Sequence, residues 1–227
     1  MSRPDLRDIT NSDLFAEVKR RFECSFKPQK RVIITGPPGS GKWTQASKLS
    51  EENCWCHLAV RGPLSNVREN AGSEGIDSID TLKAKLKDPQ CSRGAVIDGF
   101  PRTPLEAQEL DAFLEENGMK IDKVIELNAT DNILAERITG KRVHLPSNRR
   151  YHVKFNPPKA PEVDDVTGEP LVQRDVDNLE TLNKRLEEYK ENTVNAMSYY
   201  TSKGILANIN ANQSFENVWE DILQNLK

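Results

Sequence analysis

The sequence predicts an α/β fold in which helices cover both faces of a central parallel sheet of five strands. Short apolar segments alternate along the chain with longer segments that have helical periodicity, and this alternation is typical of a parallel sheet. The chain has 227 residues, a length that allows one or two domains with a substantial buried core.

Five short apolar segments are the predicted strands, at residues 32–34, 56–60, 95–97, 124–127 and 205–209. The predicted helices cover residues 42–53, 78–87, 104–116, 131–139, 178–200 and 214–226. The last helix has the clearest pattern, because Ser214 can cap it and its apolar residues form one stripe. Ligands of such sheets bind at the carboxyl ends of the strands, so we expect the functional site there.

The first 30 residues are predicted to be an N-terminal extension that contains one short amphipathic helix. Thr10 and Asp13 can form a capping pair, and apolar residues recur at helical spacing from Leu14 to Phe22. Pro28 ends the pattern.

Residues 140–177, which we call the inserted segment, interrupt the alternation of strands and helices. They contain five prolines and no long helical period. A stretch of this length is too long for an ordinary connection, so it predicts a small inserted lobe or lid. The core domain is then formed by residues 31–139 and 178–227.

The composition excludes several classes of protein. The chain has 32 basic and 35 acidic residues, a net charge of −3, and this balance indicates no general affinity for nucleic acids or membranes. A mean hydropathy of −0.67 and short apolar runs argue against a membrane span, and the N-terminus lacks a signal-peptide pattern. Four cysteines are too few for a disulfide scaffold, so we expect a reducing, cytoplasmic compartment.

The glycine-rich segment from Gly36 to Lys42 lies between a predicted strand and a predicted helix, the context of a phosphate-binding loop. Its backbone N–H groups can turn inward towards phosphate oxygens, and the helix N-terminus adds positive potential. Lys42 can then reach the β- and γ-phosphates. A glycine-rich turn without a ligand is the alternative.

The residue after this lysine departs from the general pattern of the loop. Ser or Thr usually follows the lysine and binds magnesium, whereas this chain has Trp43, with Thr44 one residue later. The indole either crowds the phosphates or packs into the core, and the sequence leaves both alternatives open.

Together with a second motif and the inserted segment, the loop resembles that of the adenylate kinase family with a long lid. The second motif is Asp98-Gly99-Phe100-Pro101-Arg102, and the sequences at 151–159 and 164–171 are highly specific to that family. The resemblance covers residues 31 to 223 and implies a P-loop kinase fold. It also implies reversible phosphoryl transfer from ATP·Mg to AMP in a monomer, with ATP, AMP and ADP as small-molecule partners and Mg²⁺ as cofactor.

The resemblance, read with the charges of the sequence, implies a set of phosphate-binding residues. Asp98 ends an apolar strand, where its carboxylate can organise magnesium and its water, and Arg102 would bridge the two nucleotides. The basic stretch from Arg137 to Lys154 has no acidic residue and predicts an anion clamp, with a solvated basic loop as the alternative. The predicted catalytic residues are Lys42, Arg102, Arg137, Lys141, Arg174 and Arg185.

The nucleotide-binding residues that the resemblance implies fall into two groups. The predicted ATP-binding residues are Gly36, Gly39, Ser40, Gly41, Lys42, Trp43, Thr44, Arg137, Tyr151 and His152. The predicted AMP-binding residues are Val60, Arg68, Gly99, Arg102, Glu106, Arg174 and Arg185. Lys141 lies where the family usually has an arginine, and this replacement loses a bidentate donor.

The inserted segment carries His144, Ser147, Asp164 and Thr167 at the places where related kinases have four cysteines that bind zinc. These residues are expected to form a polar network without a structural metal. None of the cysteines lies in the inserted segment, and Cys54 and Cys56 are expected to be buried small residues rather than ligands.

The acceptor side departs most from the family pattern, since residues 60–80 form a shortened monophosphate-binding region. Val60 lacks a hydroxyl, Glu106 replaces a glutamine that binds adenine, and Arg68 is the best remaining candidate for gripping the monophosphate, with Arg61 second. These departures leave two alternatives open: a nucleotide-binding protein without efficient transfer, and a kinase with a different acceptor base.

Overall fold

A computed structural model describes residues 10–60 and 76–227. The strands of these residues are β1 (Lys30–Thr35), β2 (Cys56–Ala59), β3 (Gly94–Asp98), β4 (Lys123–Asn128), β5 (Lys141–His144), β6 (Arg149–His152) and β7 (Leu206–Asn210). Five of them form the main sheet in the order β2-β3-β1-β4-β7, and every pair in it is parallel. The predicted five-stranded parallel sheet is confirmed.

The helices lie close to their predicted positions. Their bounds are α1 (Asn11–Ser25), α2 (Lys42–Asn53), α3 (Ile79–Leu86), α4 (Pro104–Glu116), α5 (Asp131–Thr139), α6 (Leu179–Glu188), α7 (Val194–Ser202) and α8 (Phe215–Asn225). The helix predicted over 178–200 is divided, because a π-helical turn, Tyr189–Thr193, separates α6 from α7. This turn places Tyr189 against β4, where its hydroxyl donates to the carboxylate of the buried Glu126 at 2.8 Å.

Apolar side chains fill both sides of the main sheet. Ile33 of β1 faces a cluster that includes Leu110 of α4 and Tyr200 of α7. Its neighbours Val32 and Ile34 face the opposite cluster, which contains residues of α2 and α8. Successive residues of a strand point to opposite faces, so the uninterrupted apolar run at residues 32–34 of this central strand predicts coverage on both sides.

The parallel register brings the functional loops to one edge of this sheet. Ile34 pairs with Asp98, and Ala59 of the neighbouring strand pairs with the same residue. The segments that follow β1, β2 and β3 therefore begin side by side, as expected for the ligand-binding edge of a parallel sheet.

The inserted segment contains a hairpin that the sequence did not predict. β5 and β6 pair antiparallel, and Val143 also bridges to Val172 near the end of the segment. The hairpin was missed because its strands consist mainly of basic and aromatic residues and contain no apolar run.

The expectation of unpaired cysteines is wrong. Cys24 is bonded to Cys54 with a Cα–Cα distance of 5.7 Å, and Cys56 is bonded to Cys91 at 5.2 Å. Cys54 and Cys56 are therefore cross-linked rather than small packing residues, and the argument from cysteine usage for a reducing compartment is lost. The sequence could not show these pairs, because residues about 30 positions apart become neighbours only when α2, β2 and the turn Pro89–Cys91 are packed.

The helix α1 forms as predicted, with Thr10 capping it through Asp13, but its apolar stripe does not face the core. Phe15 and Phe22 are 77% and 64% exposed, whereas Cys24 is buried. Among the helices of the described ranges, none is both long enough and apolar enough to cross a bilayer.

Candidate nucleotide-binding site

A cavity of about 1570 Å³ opens at the carboxyl edge of the main sheet. It lies between the loop after β1, the loop after β3, helix α5, the inserted segment and the π-helical turn. Every predicted site residue within the described ranges lines it, and Arg68 lies outside those ranges. The lining residues that the sequence predicted are Gly36, Gly39, Ser40, Gly41, Lys42, Trp43, Thr44, Val60, Asp98, Gly99, Arg102, Glu106, Arg137, Lys141, Tyr151, His152, Arg174 and Arg185.

The glycine-rich loop packs tightly against the elements behind it. Gly36 has a φ of 150°, and a Cβ there would lie 2.6 Å from the carbonyl oxygen of Leu127. Gly39 has a φ of 85° and approaches Leu134 of α5 in the same way. Only glycine fits these backbone positions without strain. The Nζ of Lys42 donates to the carbonyl of Pro37 at 3.4 Å, which holds the ammonium over the loop.

Arg137 braces this loop from α5. Its guanidinium donates to the carbonyl of Ser40 at 3.3 Å and to that of Ala211 at 2.8 Å. Burial lowers the pKa of Arg137, but an arginine keeps its charge in proteins. The residue therefore adds a fixed positive charge beside the loop and also fixes the backbone of the loop.

Two further cations are grouped by one buried carboxylate. Asp177 is 1% exposed and accepts two hydrogen bonds from Arg174, at 2.7 and 2.8 Å. The Nζ of Lys141 lies 3.8 Å from the same carboxylate. This arrangement holds two cations beside one anion at the cavity wall, and it keeps a positive local charge.

Arg102 lies at the start of α4, between the cavity and β2. Its Nη2 donates to the carbonyl of Val60 at 3.3 Å. Burial lowers the pKa of Arg102, while the nearby carboxylates of Glu106 and Glu188 raise it. Val60 therefore contributes its carbonyl to the site, although it lacks the hydroxyl of the family pattern.

Glu106 has a structural task that the sequence did not reveal. Its Oε2 accepts hydrogen bonds from the backbone N–H groups of Arg102 at 2.7 Å and of Thr103 at 3.2 Å. Thr103 in turn caps the backbone of Glu106, so that the two residues form a capping box at the N-terminus of α4. The carboxylate lines the cavity while it holds the backbone of Arg102 in place.

Asp98 is the buried carboxylate of the site. It is 5% exposed, and one oxygen lies 3.5 Å from the Nε2 of His57 on the neighbouring strand. His57 is not among the site residues predicted from the sequence, although it lies in the strand segment 56–60, which was predicted to belong to the same sheet as Asp98. No group of three or more metal-ligating side chains occurs in the described ranges. A single carboxylate fits Mg²⁺, which is usually bound by substrate phosphates, water and one or two carboxylates.

His152 is held as a neutral imidazole by its hydrogen bonds. Its Nδ1 accepts from the backbone N–H groups of Lys154 at 3.0 Å and of Phe155 at 3.1 Å. Its Nε2 therefore carries the proton and donates to the carbonyl of Glu136 at 3.2 Å. Burial lowers the pKa of His152, in agreement with this neutral form. The bond to Glu136 joins the inserted segment to α5.

The predicted polar network of the inserted segment is present. His144 bonds to Ser147 at 2.6 Å, and Thr167 donates to Asp164 at 3.0 Å. Asp164 also accepts from Arg149 at 2.7 Å and from the Tyr151 hydroxyl at 2.9 Å. Arg149 holds the pKa of Asp164 far below its ordinary range, against the opposing effect of burial. Tyr151 therefore supports the inserted segment as well as lining the cavity.

The structure places Trp43 at the cavity wall rather than in the core. The side chain is half-buried, and the Cζ of Arg150 lies 3.9 Å from the centre of its ring. The ring of His57 is 6.1 Å away. Of the two alternatives that the sequence left for the indole, packing into the core is not observed, and the ring packs against a cation of the inserted segment at the cavity wall.

The basic stretch from 137 to 154 is divided between two tasks. Arg137, Lys141 and Arg150 line the cavity, whereas Arg142 binds Glu162 with a nitrogen–oxygen distance of 3.1 Å. Arg149 is directed to Asp164. Part of the stretch therefore lines the cavity, as the predicted anion clamp requires, and part stabilises the inserted segment.

Comparison with known proteins gives a consistent result. A family model described as "Adenylate kinase" matches residues 74–205. "Adenylate kinase 4" of Oryza sativa subsp. japonica is 43% identical over 233 residues, which cover 96% of each chain. "Adenylate kinase 4" of Arabidopsis thaliana is 42% identical over 96% of this chain and 95% of its own. "Adenylate kinase" of Laccaria bicolor is 45% identical over 86% of this chain and 82% of its own.

Proposed function

The chain belongs to the adenylate kinase family and is a phosphotransferase, and we propose that it transfers the γ-phosphoryl group reversibly from ATP·Mg to AMP, giving two molecules of ADP. The observation that supports this proposal is the convergence of cations from four parts of the chain on one cavity. Lys42, Arg102, Arg137 and Arg174 all line it, beside a glycine-rich loop at a helix N-terminus. Phosphoryl transfer depends on alignment and on stabilisation of negative charge, which such an arrangement supplies.

The donor nucleotide is proposed to lie on the loop from Gly36 to Thr44. The N–H groups at the start of α2 and the ammonium of Lys42 would bind the β- and γ-phosphates. Arg137 keeps its charge close to them because its hydrogen bonds to loop carbonyls fix its position. Tyr151 and His152 would form the wall of the inserted segment on the donor side.

The acceptor is proposed to lie beside Arg102, between α4 and β2. Arg102 is held from both ends, since its backbone is bound by Glu106 and its guanidinium donates to Val60. It can therefore bridge the phosphates of the two nucleotides without a large loss of side-chain entropy. Gly99 and Arg185 also line this part of the cavity.

Asp98 is proposed to hold the Mg²⁺ of the donor through its water ligands. When bound, Mg²⁺ neutralises the charge that develops on the β- and γ-phosphates. Asp98 fits this task because its carboxylate is buried at the carboxyl end of β3 and borders the cavity beside the glycine-rich loop.

The inserted segment is proposed to act as a lid over the donor. It supplies Lys141, Arg150 and His152 to the cavity wall, and closure would exclude water that otherwise hydrolyses ATP. We further propose that the chain acts as a monomer, since one chain supplies the cations of the described cavity.

A turnover assay of purified protein with ATP and each of AMP, GMP, CMP and UMP tests the proposal. We expect ADP formation to be fastest with AMP. Arg102→Met should lower kcat by about a hundredfold to a thousandfold with an unchanged melting temperature, because it removes charge stabilisation from the reacting groups. Arg93→Met is the control, since Arg93 donates to the Lys27 carbonyl outside the cavity. Equal rates for the two variants would contradict the role of Arg102.

A nucleotide-binding protein without efficient transfer is the second candidate. Two observations favour it: Lys141 shares the carboxylate of Asp177, and Trp43 fills part of the cavity wall beside the loop. Calorimetric binding of ATP without turnover for any acceptor would support this candidate. Turnover with GMP, CMP or UMP in place of AMP would instead support a kinase with a different acceptor.

A further inference from the structure

We propose that Arg150 is an additional phosphate-binding residue of this site and that Trp43 positions it. The inference rests on the proposed function, because it assigns a new binding residue and a new positioning residue to the same nucleotide site. The observation behind it is a stack between the first turn of α2 and the strand β6.

The geometry of the stack joins the phosphate loop to the inserted segment. Trp43 directly follows Lys42 at the start of α2, and Arg150 belongs to β6. The Cζ of Arg150 lies 3.9 Å from the centre of the Trp43 ring, within the range of a cation–π interaction. Both side chains line the cavity. The guanidinium of Arg150 is therefore held at the first turn of α2, at the wall of the cavity that Lys42 also lines.

The chemistry of the stack suits an anion. A guanidinium that stacks on an aromatic ring contacts it with its flat face, and its N–H donors lie in the plane of the group. Phosphate oxygens accept hydrogen bonds in that plane, often from two donors at once. The ring therefore fixes the position of the charge at the cavity wall.

The other arginines of the same hairpin do not line the cavity. Arg142 is bound by the carboxylate of Glu162, and Arg149 by that of Asp164. Lys141 does line the cavity, but it is a point charge and lies 3.8 Å from Asp177. Arg150 is thus the residue of β5 and β6 that brings a guanidinium to the cavity wall.

The test is a set of variants in the full chain, with ATP affinity measured by calorimetry and kcat and KM measured by a coupled assay. Arg150→Met should weaken ATP binding by about tenfold to a hundredfold, the effect of one charged hydrogen-bonding group. Arg150→Lys should retain part of the affinity. Arg142→Met is the matched control, and it should change the affinity less than twofold because its partner is Glu162.

The positioning role of Trp43 is tested by combining variants. Trp43→Leu should weaken ATP binding, while Trp43→Phe, which keeps a ring, should weaken it less. The double variant Trp43→Leu with Arg150→Met should bind ATP as Arg150→Met does, because Trp43 acts through Arg150. The fluorescence of Trp43 itself is obtained by subtracting the spectrum of Trp43→Phe from that of the protein that keeps Trp43. In the nucleotide-free protein, Arg150→Met should change this difference spectrum, because it removes the cation that contacts the ring.

Clear results would overturn the proposal. ATP affinity within twofold of the unsubstituted chain in Arg150→Met excludes Arg150 as a phosphate-binding residue. Effects that multiply in the double variant exclude the positioning role of Trp43. Calorimetry requires no turnover, so a chain that binds ATP through Arg150 but forms no ADP contradicts the proposed function alone. A chain that forms ADP with no dependence on Arg150 contradicts this inference alone.

Discussion

The main sheet and the inserted segment are stabilised by different interactions. The sheet is packed between apolar clusters in which residues such as Ile33, Leu110 and Ile125 are completely buried. The inserted segment has few buried apolar residues, and its interior contains His144 and Asp164, each 1% exposed. Apolar packing is insensitive to pH, whereas the contribution of a buried carboxylate such as that of Asp164 depends on its protonation state.

This difference has a functional consequence. The proposed closure of the inserted segment over a nucleotide requires a low intrinsic stability, and a polar network keeps the shape of the segment without a large apolar core. The disulfides also distinguish the two regions, because both of them lie outside the inserted segment. We expect the two regions to respond separately to mutation, reduction and acid.

The largest expected effect concerns the core. Leu110→Ala should lower the free energy of unfolding by about 2–5 kcal/mol, because it leaves a cavity in a completely packed cluster. Leu105→Ala is the control on the same helix, since Leu105 is 72% exposed, and it should change stability by no more than about 0.5 kcal/mol. Denaturant unfolding measures both. Similar losses for the two variants would contradict the assigned core.

The next effect concerns the cross-links. Cys91→Ala removes the disulfide to Cys56, which spans 35 residues of sequence, and should cost about 3 kcal/mol in unfolding free energy. Cys24→Ala opens the other disulfide, which spans 30 residues of sequence, and should cost a similar amount, because loop-closure entropy changes only slowly with loop length. Hydrogen exchange in the inserted segment should be unchanged in both variants. Faster exchange there would show that the two regions are coupled.

A smaller effect on global stability is expected from the polar network. Asp164→Asn removes the charge that binds Arg149, so hydrogen exchange between residues 141 and 172 should become at least about tenfold faster while the main sheet keeps its protection. Asp165→Asn is the neighbouring control, since the Asp165 carboxylate accepts from the exposed Lys159 N–H. Faster exchange in the sheet of the Asp164 variant would contradict separate stabilisation.

The same carboxylate predicts a dependence on acid. Because the pKa of Asp164 is lowered in the folded chain, mainly by Arg149, its contribution is complete above the unfolded pKa of about 3.9 and decreases as the pH falls below that value. Protection of the inserted segment should therefore decline at acidic pH, and less steeply in Asp164→Asn. Equal acid profiles would show that another group is responsible.

The smallest expected effect comes from His152. Burial lowers its pKa, so between pH 6.5 and its folded pKa the unfolded chain binds more protons than the folded one. The contribution of neutral His152 is complete above about pH 6.5 and decreases as the pH falls. Between pH 7 and pH 5, the protection of the inserted segment against hydrogen exchange should therefore decrease as the pH falls. His152→Gln should remove this pH dependence. A pH dependence of protection that persists in His152→Gln would contradict the role given to His152.

The sequence predicted the elements whose signals are local. The bounds of α4 and α5 agree with their predictions, because a capping residue and an apolar period are contained within each segment. It did not predict the hairpin of β5 and β6, whose basic strands have no apolar run. The amphipathic pattern of α1 predicted a helix correctly, but the pattern cannot show whether the apolar stripe meets the core.

Within the functional site, too, the sequence predicted the features that have local signals and missed those that depend on distant residues. The glycine loop and Asp98 were identified because strand, turn and helix signals are adjacent in the chain. The capping task of Glu106, the sharing of Asp177 by Lys141 and Arg174, and the disulfides were not identified.

The sequence by itself determined the order along the chain of the main-sheet strands and of most helices, and it determined the phosphate-binding loop. These features follow from backbone conformations and apolar periods that extend over a few neighbouring residues. Only the tertiary structure decided the partners of those residues, such as Arg150 on Trp43 or Arg137 on the Ser40 carbonyl. Such partners come from distant parts of the chain and are fixed by the packing of whole elements.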